Sequence, residues 1–262
     1  MLRAFSTAAT GMAAQQTMVD VTANNLANIN TTGFKRSQVN FQDMLYVKMR
    51  EPGTEVTSGL NSPHGLEVGS GVRAVSTVKE FSMGELVNTT RPEDVAIAGD
   101  GFFQVSMPDG STKYTRDGAL MRGPNGELMT SKGNYITPSI TIPTDATAVS
   151  IGPDGGVNVI NASGTQSVIG TLTLARFANP SGLSSEGDNL LAETKASGTP
   201  ITGTPGENGF GTLQGGFLEK SNVQMITELV SLITAQRAYE TSSRAIRAGD
   251  EMLRKAIQIA RF

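Results

Sequence analysis

The chain has 262 residues, a net charge of −3, no cysteine and one histidine. This length allows one large domain or two small ones, and the lack of cysteine excludes disulfides and thiolate chemistry. The sequence has no basic run of the kind that binds nucleic acid and no apolar run near the roughly 18 residues that span a bilayer, so we expect neither a nucleic-acid partner nor membrane insertion.

The N-terminal segment has the apolar spacing of a helix. Steps of three and four residues meet an apolar side chain at every position except Gln16, as in a coiled-coil seam. Residues 1–34 carry only Arg3 and Asp20 as charged groups. Such a surface suits neighbouring helices better than water, so we predict that this helix lies among copies of itself and is poorly ordered in a free monomer. The positions assigned to this subunit interface are Leu2, Phe5, Ala9, Met12, Val19 and Leu26.

The run NNLANINTTGFK at residues 24–35 predicts where this helix ends. Gly33 is free to take the positive φ of a turn that follows a helix. We therefore expect the helix to end near residues 28–33. The motif residues of this run are Asn24, Asn25, Leu26, Asn28, Gly33, Phe34 and Lys35.

The next two segments are less decided by their sequence. Residues 37–50 have apolar side chains at mixed spacing, so strand and helix both remain open. Residues 51–71 are rich in Gly, Pro, Ser and Thr, a composition that predicts a flexible linker or a long loop.

From residue 72 to residue 219 short apolar runs alternate with Asp-Gly and Asn-Gly turn signals, which predicts an antiparallel all-β domain. In the run DVAIAGDGFFQV at residues 94–105, Gly99 and Gly101 fit tight backbone turns. Phe102 and Phe103 point to opposite faces of an extended strand. Either one lies in the core and the other in an intersubunit contact, or both pack within the domain.

The C-terminal residues 222–262 contain no proline and predict a helix roughly 60 Å long, with Ser221 and Asn222 as its N-cap. Such a length exceeds what one compact domain needs, so the apolar stripe requires a partner, which we assign to the N-terminal helix. An ordinary helical hairpin that closes a monomer is the alternative. The interface positions on this helix are Met225, Leu229, Leu232, Tyr239, Ile246, Leu253 and Ile257.

Together these elements predict an α+β multi-domain fold. The terminal helices, residues 1–34 and 221–262, form a coiled-coil-like domain. Residues 72–177 form an inserted antiparallel all-β outer domain. Residues 35–71 and 178–220 form the extended linker region.

Catalytic machinery is not evident in the sequence. His64, the only histidine, lies in a loop segment without an obvious carboxylate partner. The carboxylate pairs Asp94 with Asp100 and Asp109 with Asp117 are more simply turn residues. We expect no enzyme activity, no cofactor and no metal site.

Four runs in this sequence resemble the signatures of the bacterial flagellar axial proteins, the family of rod and hook subunits. They are NNLANINTTGFK, DVAIAGDGFFQV, YTRDGAL at residues 114–120 and LVSLITAQRAYE at residues 229–240, and they follow one another in the family's order. The chain is shorter than a hook subunit, and residues 46–66 resemble the extra segment of the distal rod branch. The proximal rod branch remains the closest alternative.

The resemblance implies a structural subunit of the distal rod that polymerises into a helical tube. This tube would transmit torque from motor to hook, enclose the export channel and lie in the periplasm. The implied partners are further copies of the chain, other rod proteins, the hook protein, the surrounding basal-body rings and the type III export apparatus. Residues 51–71 would pack between subunits and stiffen the tube. The alternative from another class is a secreted β-domain adhesin with a helical oligomerisation stalk.

Overall fold

The computed structural model describes residues 2–53, 55–57, 60, 61, 63–162 and 164–259. These residues form two α-helices, one short 3-10 helix and 22 strands. The chain divides into two compact units, which we call the helical unit (Met1–Leu26, Ser37–Val78 and Met225–Phe262) and the β unit (Ala27–Arg36 and Lys79–Gln224). The predicted α+β class is confirmed.

Two long helices dominate the helical unit. α1 is Leu2–Ala27 and α2 is Met225–Ile259, the latter about 52 Å long at 1.5 Å per residue. α1 ends just before the predicted range, and the positive φ expected at Gly33 is confirmed at 66°. In the described part of the chain, neither helix is both long and apolar enough to cross a membrane.

The predicted N-cap of α2 is wrong. The helix begins at Met225, and the side chain of Asn222 binds other backbone groups. Its Oδ1 accepts from the N–H of Arg36 at 2.8 Å, and its Nδ2 donates to the carbonyl of Glu80 at 2.9 Å. Asn222 therefore fastens a neighbouring chain segment instead of capping the helix.

The two helices run antiparallel where they touch. Asn25 Nδ2 donates to Glu228 Oε2 at 3.2 Å. Further along, a Cβ at Gly11 would lie 3.7 Å from Ser242, and one at Gly249 would come within 2.9 Å of the Phe5 ring. As residue numbers rise on α1 they fall on α2, and small side chains permit this close approach.

The described strands between residues 37 and 79 pair two by two as an antiparallel ribbon, which resolves the open choice between helix and strand for residues 37–50. Where composition predicts a loop at residues 51–71, backbone pairing extends the ribbon, because cross-strand hydrogen bonds do not depend on composition. We call the described residues between 44 and 71 the arm. The pairs are β1 (Ser37–Asp43) with β6 (Val72–Lys79), β2 (Val47–Arg50) with β5 (Leu66–Val68), and β3 (Glu55–Thr57) with β4 (Leu60–Asn61).

The β unit is built around β9, which pairs with β10 along one side and with β13 and β17 along the other. Nine strands share this sheet, and the remaining strands form a three-stranded meander β14–β15–β16 and the pairs β7–β22 and β8–β21. The predicted linker range 178–220 contains five of these strands. The strands are β7 (Leu86–Asn88), β8 (Val95–Ala98), β9 (Phe102–Ser106), β10 (Thr112–Thr115), β11 (Leu120–Arg122), β12 (Leu128–Thr130), β13 (Tyr135–Thr137), β14 (Ala146–Ile151), β15 (Gly156–Asn161), β16 (Gln166–Thr171), β17 (Leu174–Arg176), β18 (Ser184–Gly187), β19 (Leu190–Ala192), β20 (Ile201–Gly203), β21 (Thr212–Gly215) and β22 (Phe217–Glu219); the 3-10 helix is Pro180–Gly182.

The core of the β unit has two clusters, one on each face of β9. Phe103 belongs to the larger cluster, and Phe102 belongs to the smaller one with Tyr114 and Phe177. The rings of Tyr114 and Phe177 meet edge to face with their centroids 4.7 Å apart. Both phenylalanines are buried, so the intersubunit contact considered for one of them is wrong and packing within the domain is confirmed.

Candidate functional site

The motif after α1 lies against the strand end that precedes α2. The N–H of Gly33 donates to the carbonyl of Glu219 at 2.8 Å. Any Cβ at Gly33 would lie 2.6 Å from the carbonyl carbon of Arg116, closer than real Cβ contacts come. Together with its positive φ, this close approach explains why only glycine fits the position.

Three buried charges meet at the same point, and we call Lys35, Arg116 and Glu219 the Glu219 cluster. Lys35 Nζ lies 2.6 Å from Glu219 Oε1, and Arg116 Nη1 lies 3.4 Å from Glu219 Oε2. The exposed fractions of these residues are 3%, 4% and 1%, respectively. Burial lowers the pKa of Lys35 below that of an ordinary lysine, and the Glu219 carboxylate partly opposes this shift. Burial also lowers the pKa of Arg116, again against the carboxylate.

Backbone groups complete this cluster. Glu219 Oε1 accepts a hydrogen bond from the N–H of Gly84 at 2.9 Å, and Lys35 Nζ donates to the carbonyl of Ser82 at 2.6 Å. The guanidinium of Arg116 lies over the Phe102 ring, 5.3 Å from its centroid. Because a buried ion is costly without partners, these bonds are what make the burial tolerable.

A polar network attaches the same segment at a second place. Thr32 Oγ1 donates to Asp117 Oδ1 at 2.7 Å, and Asn189 Nδ2 donates both to Asp117 Oδ2 and to the carbonyl of Thr32. Asp117 also accepts from the N–H of Ala119. Its carboxylate is therefore a structural acceptor, which agrees with the turn role expected for it.

The asparagines of the NNLANINTTGFK motif make different contacts. Asn25 Oδ1 accepts from the N–H of Ser37 at 2.9 Å, and its Nδ2 donates to the carbonyl of Ser37 and to Glu228. Asn28 Oδ1 accepts from the hydroxyl of Thr31, while Asn24 is exposed. Asn25 thus joins both helices to the start of the ribbon within the helical unit.

Close packing explains the two glycines of the central motif, and Phe34 lies near a lysine ammonium. The ammonium of Lys79 lies 6.0 Å from the centroid of the Phe34 ring, and burial lowers the pKa of Lys79. Gly99 and Gly101 have φ of 118° and 144°. A Cβ at Gly99 would lie 2.9 Å from Gly211, and one at Gly101 would lie 3.0 Å from Leu174.

Comparison with known proteins identifies the family. Three family models match: "Flagella basal body rod protein" over residues 5–35, "Flagellar hook protein FlgE/F/G D1 domain" over residues 96–159, and "Flagellar basal body rod FlgEFG protein C-terminal" over residues 214–259. The flagellar basal-body rod protein FlgG of Buchnera aphidicola subsp. Schizaphis graminum is 49% identical, with 95% of this chain and 96% of that protein covered. FlgG of Borreliella burgdorferi is 44% identical over 97% of each chain, and FlgG of Bacillus subtilis is 37% identical over the full length of both.

The chain belongs to the FlgG family of flagellar basal-body rod proteins. It is a structural component of the rod and not an enzyme. Of the four carboxylates weighed for catalysis, Asp109 and Asp117 accept hydrogen bonds from the backbone of their own turns. Asp109, for example, accepts from the N–H and the hydroxyl of Ser111, and these hydrogen bonds lower its pKa.

Most of the interface residues predicted for this rod protein fall into two groups. Met225, Leu229, Tyr239 and Ile257 are exposed large apolar side chains. The half-buried group is Phe5, Met12, Val19, Leu26, Leu232, Ile246 and Leu253; Ala9 is exposed, and the side chain of Leu2 lies outside the described residues.

Sequence reasoning missed a neighbouring strip of α2. Ile226, Val230 and Ile233 are 78%, 59% and 55% exposed. The signal was present, since each is apolar and follows or precedes a predicted interface position by one residue. Counting in steps of three and four residues along one line of the helix does not reach these three positions. With Met225 and Leu229 they form what we call the apolar face of α2.

Proposed function

We propose that this chain is the subunit of the distal rod and polymerises into a helical tube through its terminal helices. The apolar face of α2 is the observation that carries the proposal. Five large apolar side chains, Met225, Ile226, Leu229, Val230 and Ile233, are 40–78% exposed within two and a half turns of helix. A contiguous exposed apolar patch of this kind marks an interaction surface.

The occupant of this face is a further copy of the chain, packed against it as in a coiled coil. α1 supports this arrangement because Arg3 and Asp20 are its only charged residues, so its outer side offers little that favours water over another helix. The polymer would enclose the export channel and carry torque from motor to hook across the periplasm.

The arm is proposed to lie between neighbouring subunits and to stiffen the tube. Leu45, Met49 and Leu66 are 89%, 64% and 53% exposed. An isolated two-stranded ribbon with exposed apolar side chains is only marginally stable alone. Contact with a neighbouring subunit would cover these side chains and fix the ribbon's position.

The remaining partners are proposed from the family alone. They are the other rod proteins, the hook protein, the surrounding basal-body rings and the type III export apparatus.

Electron microscopy of the concentrated full chain tests the polymer directly. We expect tubes or long filaments, whereas discrete closed oligomers would favour a helical-stalk module instead. Leu229→Asp should raise the critical concentration for assembly by roughly 30-fold, equivalent to about 2 kcal/mol per contact.

The matched control is Ile201→Asp, which places the same charge at an exposed position of the β unit. Thermal unfolding of the β unit should stay unchanged in both variants. Normal assembly of Leu229→Asp would contradict the proposal that the apolar face of α2 is the polymer contact.

A further inference from the structure

We propose that Glu219 is a positioning residue for assembly. Its carboxylate fastens the chain segment that follows α1 to the segment that precedes α2, so that the β unit holds both connections at one point. The inference rests on the proposed function for its consequence, but the fastening itself can be tested on the single subunit.

The position of the Glu219 cluster in the chain is the first argument. Gly33 comes six residues after Ala27, the end of α1, and Glu219 comes six residues before Met225, the start of α2. Six residues span at most roughly 20 Å. Any pull or twist on either helix therefore reaches the β unit close to the place where these two segments are joined.

The number of bonds at this place is the second argument. The segment at residues 32–36 is joined to the segment at residues 219–222 by three bonds, in which Gly33 N–H donates to Glu219 O, Lys35 Nζ to Glu219 Oε1 and Arg36 N–H to Asn222 Oδ1. Both carboxylate oxygens of Glu219 are engaged, with Arg116 on the second oxygen. One carboxylate thus bonds to three chain segments, through Lys35, the N–H of Gly84 and Arg116.

The charges at this place are the third argument. Two buried cations share one buried carboxylate, an arrangement that gains little stability over apolar packing of the same volume. Directional bonds, in contrast, fix geometry, and breaking them lets the segments shift. The cluster is therefore better explained by the geometry that it imposes than by the stability that it adds.

A subunit that passes torque between its helices and its β unit needs such a junction. Without the carboxylate, only the bonds of Gly33 N–H to Glu219 O and of Arg36 N–H to Asn222 Oδ1 would join the two connections. With it, both connections share the load. Lys35 supplies the link across the two segments, while Arg116 anchors the carboxylate to the β unit.

Lys35→Met in the full chain separates positioning from stability. Glu219 then pairs one to one with Arg116, so we expect the thermal unfolding of the β unit to stay close to that of the wild type. Amide exchange at residues 28–36 should accelerate by at least about tenfold, because a charged hydrogen bond is lost. Lys35→Arg should restore slow exchange, since guanidinium can bind the same carboxylate.

The matched control is Lys113→Met, which removes an ammonium from the 2.7 Å surface pair with Glu186. It should leave exchange at residues 28–36 unchanged. In electron micrographs, Lys35→Met polymers should be measurably more bent than wild-type or Lys113→Met polymers.

Two results would overturn the inference. One is exchange at residues 28–36 within twofold of the wild type in Lys35→Met. The other is faster exchange in Lys35→Met together with polymers as straight as those of the wild type. This result would show that Lys35 joins the two segments but has no positioning role in assembly. If the wild type forms no polymer, the proposed function fails. The exchange measurement still tests whether Lys35 joins the two segments: faster exchange in Lys35→Met would support it, and unchanged exchange would refute it.

Discussion

The two units bury apolar surface in different ways. The β unit encloses a continuous core with large side chains such as Phe103, Ile97 and Leu174 at full burial. Among the side chains that the structure describes, the helical unit buries only three apolar residues, Ala14, Val39 and Ala235. The β unit therefore has the core of a domain that folds alone. In the helical unit the larger apolar side chains are half-buried or exposed, which agrees with the proposal that another molecule covers them.

The largest expected effect tests whether the stability of the β unit depends on its own apolar core. Phe103→Ala removes a fully buried ring from the main cluster, which should lower the free energy of unfolding by about 3–5 kcal/mol. Urea unfolding followed by circular dichroism measures this change. Val168→Ala, at an exposed position of β16, is the control and should change little. A small effect of Phe103→Ala would mean that the β unit does not depend on this core.

The second prediction tests the opposite property in the arm. Replacing Leu45 and Met49 together by Ser should leave the unfolding of the β unit unchanged and weaken lateral contacts in the polymer by about 1–3 kcal/mol, because both side chains are exposed in the subunit and would be buried only by a neighbour. The bending of tubes in electron micrographs is the measurement. Val168→Ser provides an exposed apolar control in the β unit. Tubes as stiff as the wild type would remove the role proposed for the arm.

The sequence could predict those parts of the fold that depend on local pattern. The helical spacing of apolar residues predicts α1 and α2, and turn signals predict the β unit. The motif after α1 also predicts the positive φ of Gly33. The Glu219 cluster could not be predicted in this way. Arg116 is 103 residues and Lys35 is 184 residues from Glu219 along the chain, and no periodic pattern connects them.

The apolar face of α2 shows a different limit. Stepping along a single line of the helix finds Met225 and Leu229 but passes Ile226 and Ile233. Where α2 meets α1, small residues such as Ser242 and Gly249 lie against the other helix, and hydrophobic periodicity does not register them. The close approach of the two helices decides which side of α2 faces α1. The pattern of apolar residues alone does not predict that side.

The third prediction compares the two reasons for glycine at position 33, which are its positive φ and the close approach of the Arg116 backbone. Gly33→Ala should destabilise the β unit by about 1–3 kcal/mol, because a Cβ there meets the backbone of Arg116 in addition to the cost of positive φ. Gly110→Ala is the matched control, since its φ is 83° and nothing lies within 4 Å of its added Cβ. Chemical unfolding of both variants measures the difference. Equal losses would show that the close approach to Arg116 has no energetic weight.

The smallest expected effect concerns pH and the buried charges of the β unit. The pKa of Lys35 in the folded chain lies below its unfolded value of 10.5, so between these two values the folded chain binds fewer protons than the unfolded one. Raising the pH in this window therefore favours the folded state. The stability of the wild type relative to Lys35→Met should accordingly grow as the pH is raised toward the unfolded value of 10.5, as measured by urea midpoints.

The comparison with Lys35→Met removes contributions common to both chains. Lys79, whose pKa is also lowered by burial, acts with the same sign in both, and Tyr114, whose pKa burial raises, acts with the opposite sign above about pH 10. Lys132→Met, which removes an exposed ammonium from its pair with Asp188, shows what a surface charge alone contributes. If the wild type lost stability relative to Lys35→Met over this range, the folded-state pKa of Lys35 would have to be raised. The carboxylate of Glu219 would then outweigh burial, and the Glu219 cluster would owe its retention to stability as well as to geometry.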